Sequence, residues 1–246
     1  MSGPHARTTI RRDHAVIAPE SHVPGPVPGW SGAEHVQLVA PAMGARFSMA
    51  LVAMAPGGAA GAPAASCGRA VYVLEGSASL QAGGRAHDLG PGGVAYLPPG
   101  EPHAPLASAA GARICVIDKP YAPLAGAPRG RLVVGDAAEI LALPLQGDPS
   151  LRVRELLPEG PALDLALNLM TFDPGASLPF VEAHVMEHGL LVLEGTMVYR
   201  LGDSWYPLEA GDAVWMGPFC PQWCCAYGAG PATYLIYKDW NRDVMA

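Results

Sequence analysis

The sequence predicts an all-β protein: two tandem antiparallel β-barrels of the double-stranded β-helix (jelly-roll) type, preceded by an N-terminal arm. Three observations predict it. The chain repeats itself: "VYVLEG" ends at Gly76 and "LLVLEG" at Gly195, an offset of 119 residues. The same gapless offset pairs Gly92 with Gly211, Pro102 with Pro221, His103 with Gln222 and Lys119 with Lys238, and a period this long is one barrel copied twice. Apolar runs of strand length alternate with turn residues at roughly 8–12-residue spacing, the signature of an antiparallel sandwich or barrel. Finally, Gly (30) and Pro (26) are plentiful among 246 residues and only 15% are charged, which suits short strands and tight turns better than long surface helices.

The elements follow in order. The first 45 residues, with "VPGPVPGW", read as an arm laid over a barrel. Each half then shows an apolar strand ending in "LEG", a second strand, a "GG"- or "GD"-type turn, a strand ending at proline ("VAYLPPGEPH", "AVWMGPFCPQ") and a last apolar strand ("ARICVIDK", "TYLIYKDW"). Ala122–Ser150 links the halves, and its "DAAEILAL" has the composition of a short helix. The division is residues 1–135, arm and first barrel, and 136–246, second barrel. Terminal strands of duplicated barrels often cross to the other half.

Composition excludes several classes of function. The formal charge is −7 and no basic run occurs, which argues against nucleic acid as a partner. The five cysteines form no C-x-x-C pair and read as free thiols of a reducing compartment. The N-terminus lacks the apolar core of a signal peptide, and no segment approaches the ~20 apolar residues of a membrane span. The expectation is a soluble cytoplasmic protein.

Chemistry concentrates in "VEAHVMEHGLLVLEG". If "FVEAH" is a strand, Glu182 and His184 point the same way. His188 opens the next strand, about 4.8 Å away, and meets them across a hairpin. The repeat supplies a fourth member, because Gln222 stands where the first half has His103. A glutamine carbonyl oxygen coordinates hard divalent cations. Alone, E-x-H-x3-H also fits a solvated hairpin. Set between "DPG" and "LEG", with Gln222 at the equivalent later position, it reads as a metal site. Two nitrogens and two oxygens favour Mn²⁺ before Fe²⁺, with Zn²⁺ or Ni²⁺ also compatible. Glu187, in the turn, reads as solvated or as supporting the ligands. Subtracting the offset gives Pro63, Ala65, Arg69 and His103, so the first barrel reads as metal-free and structural, with His103 a hydrogen-bonded core histidine.

Ligand cluster, "LEG" and a later glycine-aspartate–proline–ligand run together make the two-part cupin signature. Longer stretches, "RRDHAVIAPESHVPGPVPGW", "PAMGARFSM", "FVEAHVMEHGLLVLEG", "YRLGDSWYPLEAGDAVWMGPFCPQW" and "YLIYKDWNR", resemble the (S)-ureidoglycine aminohydrolase family of allantoin (purine) degradation over nearly the whole chain. Cupins commonly present His, His, Glu and a later His. The order Glu182, His184, His188, Gln222 departs from that and matches the aminohydrolase pattern.

The resemblance implies a bicupin hydrolase with one Mn²⁺ per chain, converting (S)-ureidoglycine to (S)-ureidoglycolate and ammonia. Lys238 and Tyr234 are four apart on the last strand and share a face; Tyr199 follows "LEG". As the resemblance implies, all three contact substrate, with Lys238 a cation for its carboxylate. Lys119, the repeat partner of Lys238, is the alternative sign of a lysine required by the fold. Trp215, Trp223 and Phe219 read as wall and core. Two candidates stand for activating the nucleophile: Glu182 as base, or a water acidified at the ion. Two rival readings are a cupin oxidase or dioxygenase, which usually offers three His and one Glu, and a ligand-sensing cupin, although no DNA-binding segment accompanies this chain. A homo-oligomer is expected, since such barrels pair through strands and arm.

Overall fold

The structure is a computed structural model that describes residues 6–101 and 106–242; His103 lies outside the described residues. Helix among the described residues is limited to single 3₁₀ turns at Pro19–Ser21, Pro41–Met43 and Ala137–Glu139, and none of it is long and apolar enough to cross a membrane. The "DAAEILAL" helix shrinks to the last of these turns. Asp136 caps it, accepting from Ala138 N at 2.8 Å, but the strands Val133–Asp136 and Leu143–Leu145 claim both flanks.

A ten-stranded sheet takes strands between Gly25 and Asp136. An eight-stranded sheet takes most of the second half, and the strands Ser204–Glu209, Thr196–Leu201 and Gln222–Ala226 form a third sheet beside it. The arm crosses over: His14–Ile17 pairs antiparallel with Ala213–Met216, extending the sheet of the second barrel from the far end of the chain.

Period-2 alternation sorts the side chains into three cores. Val71, Val73, Ile114 and Val116 fill the first barrel. Leu190, Val192, Tyr234 and Ile236 fill the second. The residues between these, Tyr72, Cys115, Leu191, Leu235 and Tyr237, point the other way and join Phe47 and Trp215 in a core between the barrels. Both "LEG" glycines are left-handed, with φ 72° at Gly76 and 79° at Gly195. A Cβ there would lie 2.2 Å from Gly111 O and 2.3 Å from Pro231 O, so the repeated glycine is a steric requirement.

The offset between the halves is not constant: it is 118 for Ser48 and Ala166 and for Ala107 and Cys225. Arg113 pairs with Glu75 in the first barrel, whereas Thr233 pairs with Glu194 in the second, so the last strands correspond at an offset of 120. Lys238 therefore matches Asp118, and Asp239 matches Lys119. The gapless pairing of Lys119 with Lys238 is corrected: Lys119 faces the second barrel, 2.5 Å from Asp164 Oδ2, while Lys238 faces inward.

Candidate metal centre

"FVEAH" is not a strand. Ser177 bridges Cys225 and Glu182 bridges Gln222, so five steps of one chain oppose three of the other. The surplus bulges outward around Pro179 and Phe180, and Phe180 is exposed. Glu182 is placed instead by a two-way backbone bridge, each amide of Glu182 and Gln222 donating to the other's carbonyl at 2.8 Å. His184 is tethered by its carbonyl, which accepts from Phe219 N at 2.7 Å. His188 opens the strand His188–Glu194, with Met216 on one flank and Lys238 on the other.

The four side chains converge. His184 Nε2 lies 3.4 Å from His188 Nε2, 2.8 Å from the Gln222 amide and 3.8 Å from Glu182 Oε2. Neighbouring ligands of an octahedral ion bound at about 2.1 Å lie roughly 3 Å apart, so the spacing suits a cation. The amide presents its nitrogen to His184 here; a half-turn about its last bond exchanges nitrogen for oxygen. Burial, then the neighbouring His184 and Lys238, push the His188 imidazole well below its ordinary pKa, which favours the neutral form. The Nδ1 atoms of both histidines are buried without a hydrogen-bond partner. A point on which two imidazoles, a carboxylate and an amide converge fits a divalent cation.

The donors open into a cavity of about 210 Å³ that Tyr199, Tyr234, Ile236 and Lys238 also line. Burial keeps the Tyr199 and Tyr234 hydroxyls protonated, with pKa values well above the ordinary one. The Lys238 ammonium has no ion-pair partner within 4.0 Å among the described residues; it sits 5.8 Å from the Trp240 ring centre. Burial lowers its pKa, against the pull of Glu182, Glu155 and Glu159.

The other positions singled out fall as follows. Phe219 is 65% exposed, with φ 62°, and belongs to the rim rather than the core. Trp215 is buried between the barrels, and Trp223 is half-buried with its indole on Leu178 O at 2.7 Å. Glu187 is fully buried and points away from the cavity, accepting from Trp215 Nε1 at 3.3 Å. Cys220 sits with Asp13 and His14; both His14 nitrogens are already engaged, by Asp13 at 3.0 Å and Tyr206 at 2.8 Å. Sequence reasoning missed Gln146, Met186 and Trp240, all lining the cavity. The one signal for Gln146 was "LQGD", a two-residue hairpin turn, and nothing in it says that the turn folds over the site.

The cupin-domain profile matches residues 50–117 and 168–236. The chain is 40% identical to the (S)-ureidoglycine aminohydrolase of Arabidopsis thaliana, over 97% of this chain and 80% of that protein. It is 32% identical to the (S)-ureidoglycine aminohydrolase of Escherichia coli (strain K12), over 94% and 89%. The chain belongs to the (S)-ureidoglycine aminohydrolase family of cupins. The crystal structure of a putative glyoxylate-induced protein from Pseudomonas aeruginosa superposes with a TM-score of 0.89, at 31% identity, over 100% of this chain and 95% of that one.

Within this cupin pair the first barrel shows what replaced the donors. Arg69 stands where the second barrel has His188, and Asp118 where it has Lys238. They form a bidentate pair at 2.7 Å on both arms, and Arg69 also donates to Gly61 O at 2.6 Å and lies over the Trp30 ring. An internal salt bridge fills the position of the ligand and of the cavity cation.

Proposed function

We propose that this protein hydrolyses (S)-ureidoglycine to (S)-ureidoglycolate and ammonia in purine catabolism, using a divalent cation, Mn²⁺, held by Glu182, His184, His188 and Gln222. The observation that carries this reading is the convergence of those four donors on one cavity, which also holds the unpaired Lys238 ammonium on the strand beside His188. The aminohydrolase relatives support the choice of substrate.

The reaction exchanges an amine for a hydroxyl on a carbon that also carries a ureido group and a carboxylate, consuming one water and releasing one ammonia. When bound, the cation supplies Lewis acidity and a template. The remaining work falls to the chain. Lys238 Nζ takes the substrate carboxylate, since a half-buried ammonium without a partner gains most from an anion. The protonated hydroxyls of Tyr199 and Tyr234, the latter turning from Met170 Sδ to which it donates at 3.3 Å, donate to the ureido oxygen or carboxylate and select one face of the carbon. Ile236, Leu178 and Met170 exclude water from the floor. Glu182, half-exposed at the mouth, is the carboxylate placed to move a proton between water and the departing amine.

The test generates ureidoglycine enzymatically from allantoate and follows ammonia release with protein stripped by chelator, then reloaded with Mn²⁺. Release above the spontaneous rate that vanishes with chelator and returns with Mn²⁺ is expected. Loss of both bound metal and turnover in His184→Ala is expected with it. No release above background from metal-loaded protein overturns the reading, and oxygen uptake in its place would assign an oxidase. Lys238→Ala is expected to raise KM more than it lowers kcat; an unchanged KM removes Lys238 from the carboxylate.

A further inference from the structure

The far side of the site is held by the first barrel. His188 and Lys238 are cross-strand partners with side chains in the cavity. Alternation turns the residue before His188 and the residue after Lys238 to the opposite face. Because the strands are antiparallel, those two residues meet: Asp239 N donates to Glu187 O at 3.1 Å. Both carboxylates are out of solvent, Glu187 at 0% and Asp239 at 3% exposure.

Two buried carboxylates side by side repel each other and are costly unless a cation and hydrogen bonds satisfy them. The first barrel supplies both. The Arg46 amide donates to the two Glu187 oxygens at 3.0 and 3.2 Å, and its Nε reaches Oε1 at 3.2 Å. The same guanidinium donates to Asp239 Oδ2 at 2.5 Å. Lys119 lies 3.6 Å from the other oxygen of Asp239.

The repeat shows the arrangement to be built in twice, with charges exchanged. Asp118 pairs with Ser48, and Lys238 with Ala166, so Arg46 and Asp164 occupy equivalent places two residues earlier. Asp239 and Lys119 are equivalent on the last strands. Arg46 to Asp239 and Asp164 to Lys119 are thus the same contact made from either side. Of the two carboxylates Lys119 reaches Asp239 alone, whereas Arg46 reaches both Glu187, next to His188, and Asp239, next to Lys238. Contact there is also close in the backbone: a Cβ on Gly189 would lie 2.7 Å from the Phe47 ring.

We propose that Arg46 is a positioning residue for the candidate metal centre, through which the first barrel, with Arg69 and Asp118 standing where the second has His188 and Lys238, sets the placement of those two residues. Arg46 acts through Glu187 and Asp239 and touches neither donor nor substrate. This rests on the metal-site reading for its function and on the geometry alone for the restraint.

Two measurements on Arg46→Ala test it, beside Val71→Ala, a truncation in the interior of the first barrel that lowers stability away from the site. Mn²⁺ affinity is read by titration with detection of the free ion. Amide hydrogen exchange at residues 184–190 is read on metal-free protein. Expected for Arg46→Ala is a dissociation constant raised about 10-fold or more, the range seen when groups supporting metal ligands are removed, with faster exchange confined to that segment. Val71→Ala is expected to lower the melting temperature with neither change. The proposal is overturned if Arg46→Ala merely lowers the melting temperature, as Val71→Ala does, with affinity and exchange unaltered. Should wild type bind no Mn²⁺ while Arg46→Ala still loosens 184–190, the metal reading fails and the restraint stands. If Arg46→Ala does not fold, Arg46→Lys serves: it keeps the charge, loses the fork that spans two carboxylates, and is expected to be intermediate in both measurements.

Discussion

Gln222 sets the charge of the candidate centre. Two neutral imidazoles, one carboxylate and one amide carry a single negative charge, so a divalent ion in their midst leaves a net positive site that, with Lys238, attracts a carboxylate. Gln222→Glu removes that surplus. The expected outcome is tighter Mn²⁺ retention against chelator and a KM for ureidoglycine raised several-fold; an unchanged KM would separate site charge from substrate binding. The thiols make a second expectation. Burial pushes Cys115 up to about 12 and Cys220 to about 11, and raises Cys224 as well, between Tyr199 and Tyr234. Thiols react as thiolates, so these three should stay silent to a disulfide reagent at pH 8 until the protein unfolds. Cys67 and Cys225, partly exposed, should titrate at once. Rapid reaction of Cys224 in the native protein would mean that the cavity floor opens.

The strands act as rulers, and their irregularities matter as much as their alternation. The strand His188–Glu194 is flush against the first barrel at Gly189, where the Phe47 ring leaves no room for a methyl group. Gly189→Ala should cost about 1–3 kcal/mol, the range for overpacking a dense core, measured by urea unfolding. The turn at Gln146 is the reverse case. Its φ of 50° is strained for any residue with a side chain, yet it brings an amide to the cavity. Gln146→Gly is expected to stabilise the hairpin by up to about 1 kcal/mol while raising KM. A stabilised variant with unchanged KM would leave the strain without a use at this site.

Neither half is complete alone. The second barrel borrows the strand His14–Ile17 from the other end of the chain, and Phe47, Tyr72 and Ile117 of the first half share one apolar core with Leu191, Trp215 and Tyr237 of the second. A fragment of residues 136–246 would expose that core and leave the Ala213–Met216 edge without its neighbour. It should be insoluble or molten, whereas the full chain should unfold in one cooperative transition by calorimetry. A fragment with native-like near-ultraviolet circular dichroism would show the second barrel to be autonomous.

Alternation, punctuation and self-similarity are local properties of a chain, and they were readable directly: the all-β class, the duplication and the inward face of Tyr234 and Lys238, whereas Glu182 and His184 were grouped through a strand at "FVEAH" that the structure does not have. The gapless offset pointed to Gln222 from the sequence alone, and Gln222 lies with Glu182, His184 and His188 in the cavity. The same offset failed for Lys119 because the last strands correspond at 120, and one residue in a strand reverses the face. Folding in three dimensions settled the rest. Glu182 owes its place to a backbone bridge around a bulge, Gln146 to a hairpin folded across the cavity, and Glu187 to an arginine 141 residues away. None of these contacts leaves a periodic trace in the chain, since each depends on how two distant segments pack.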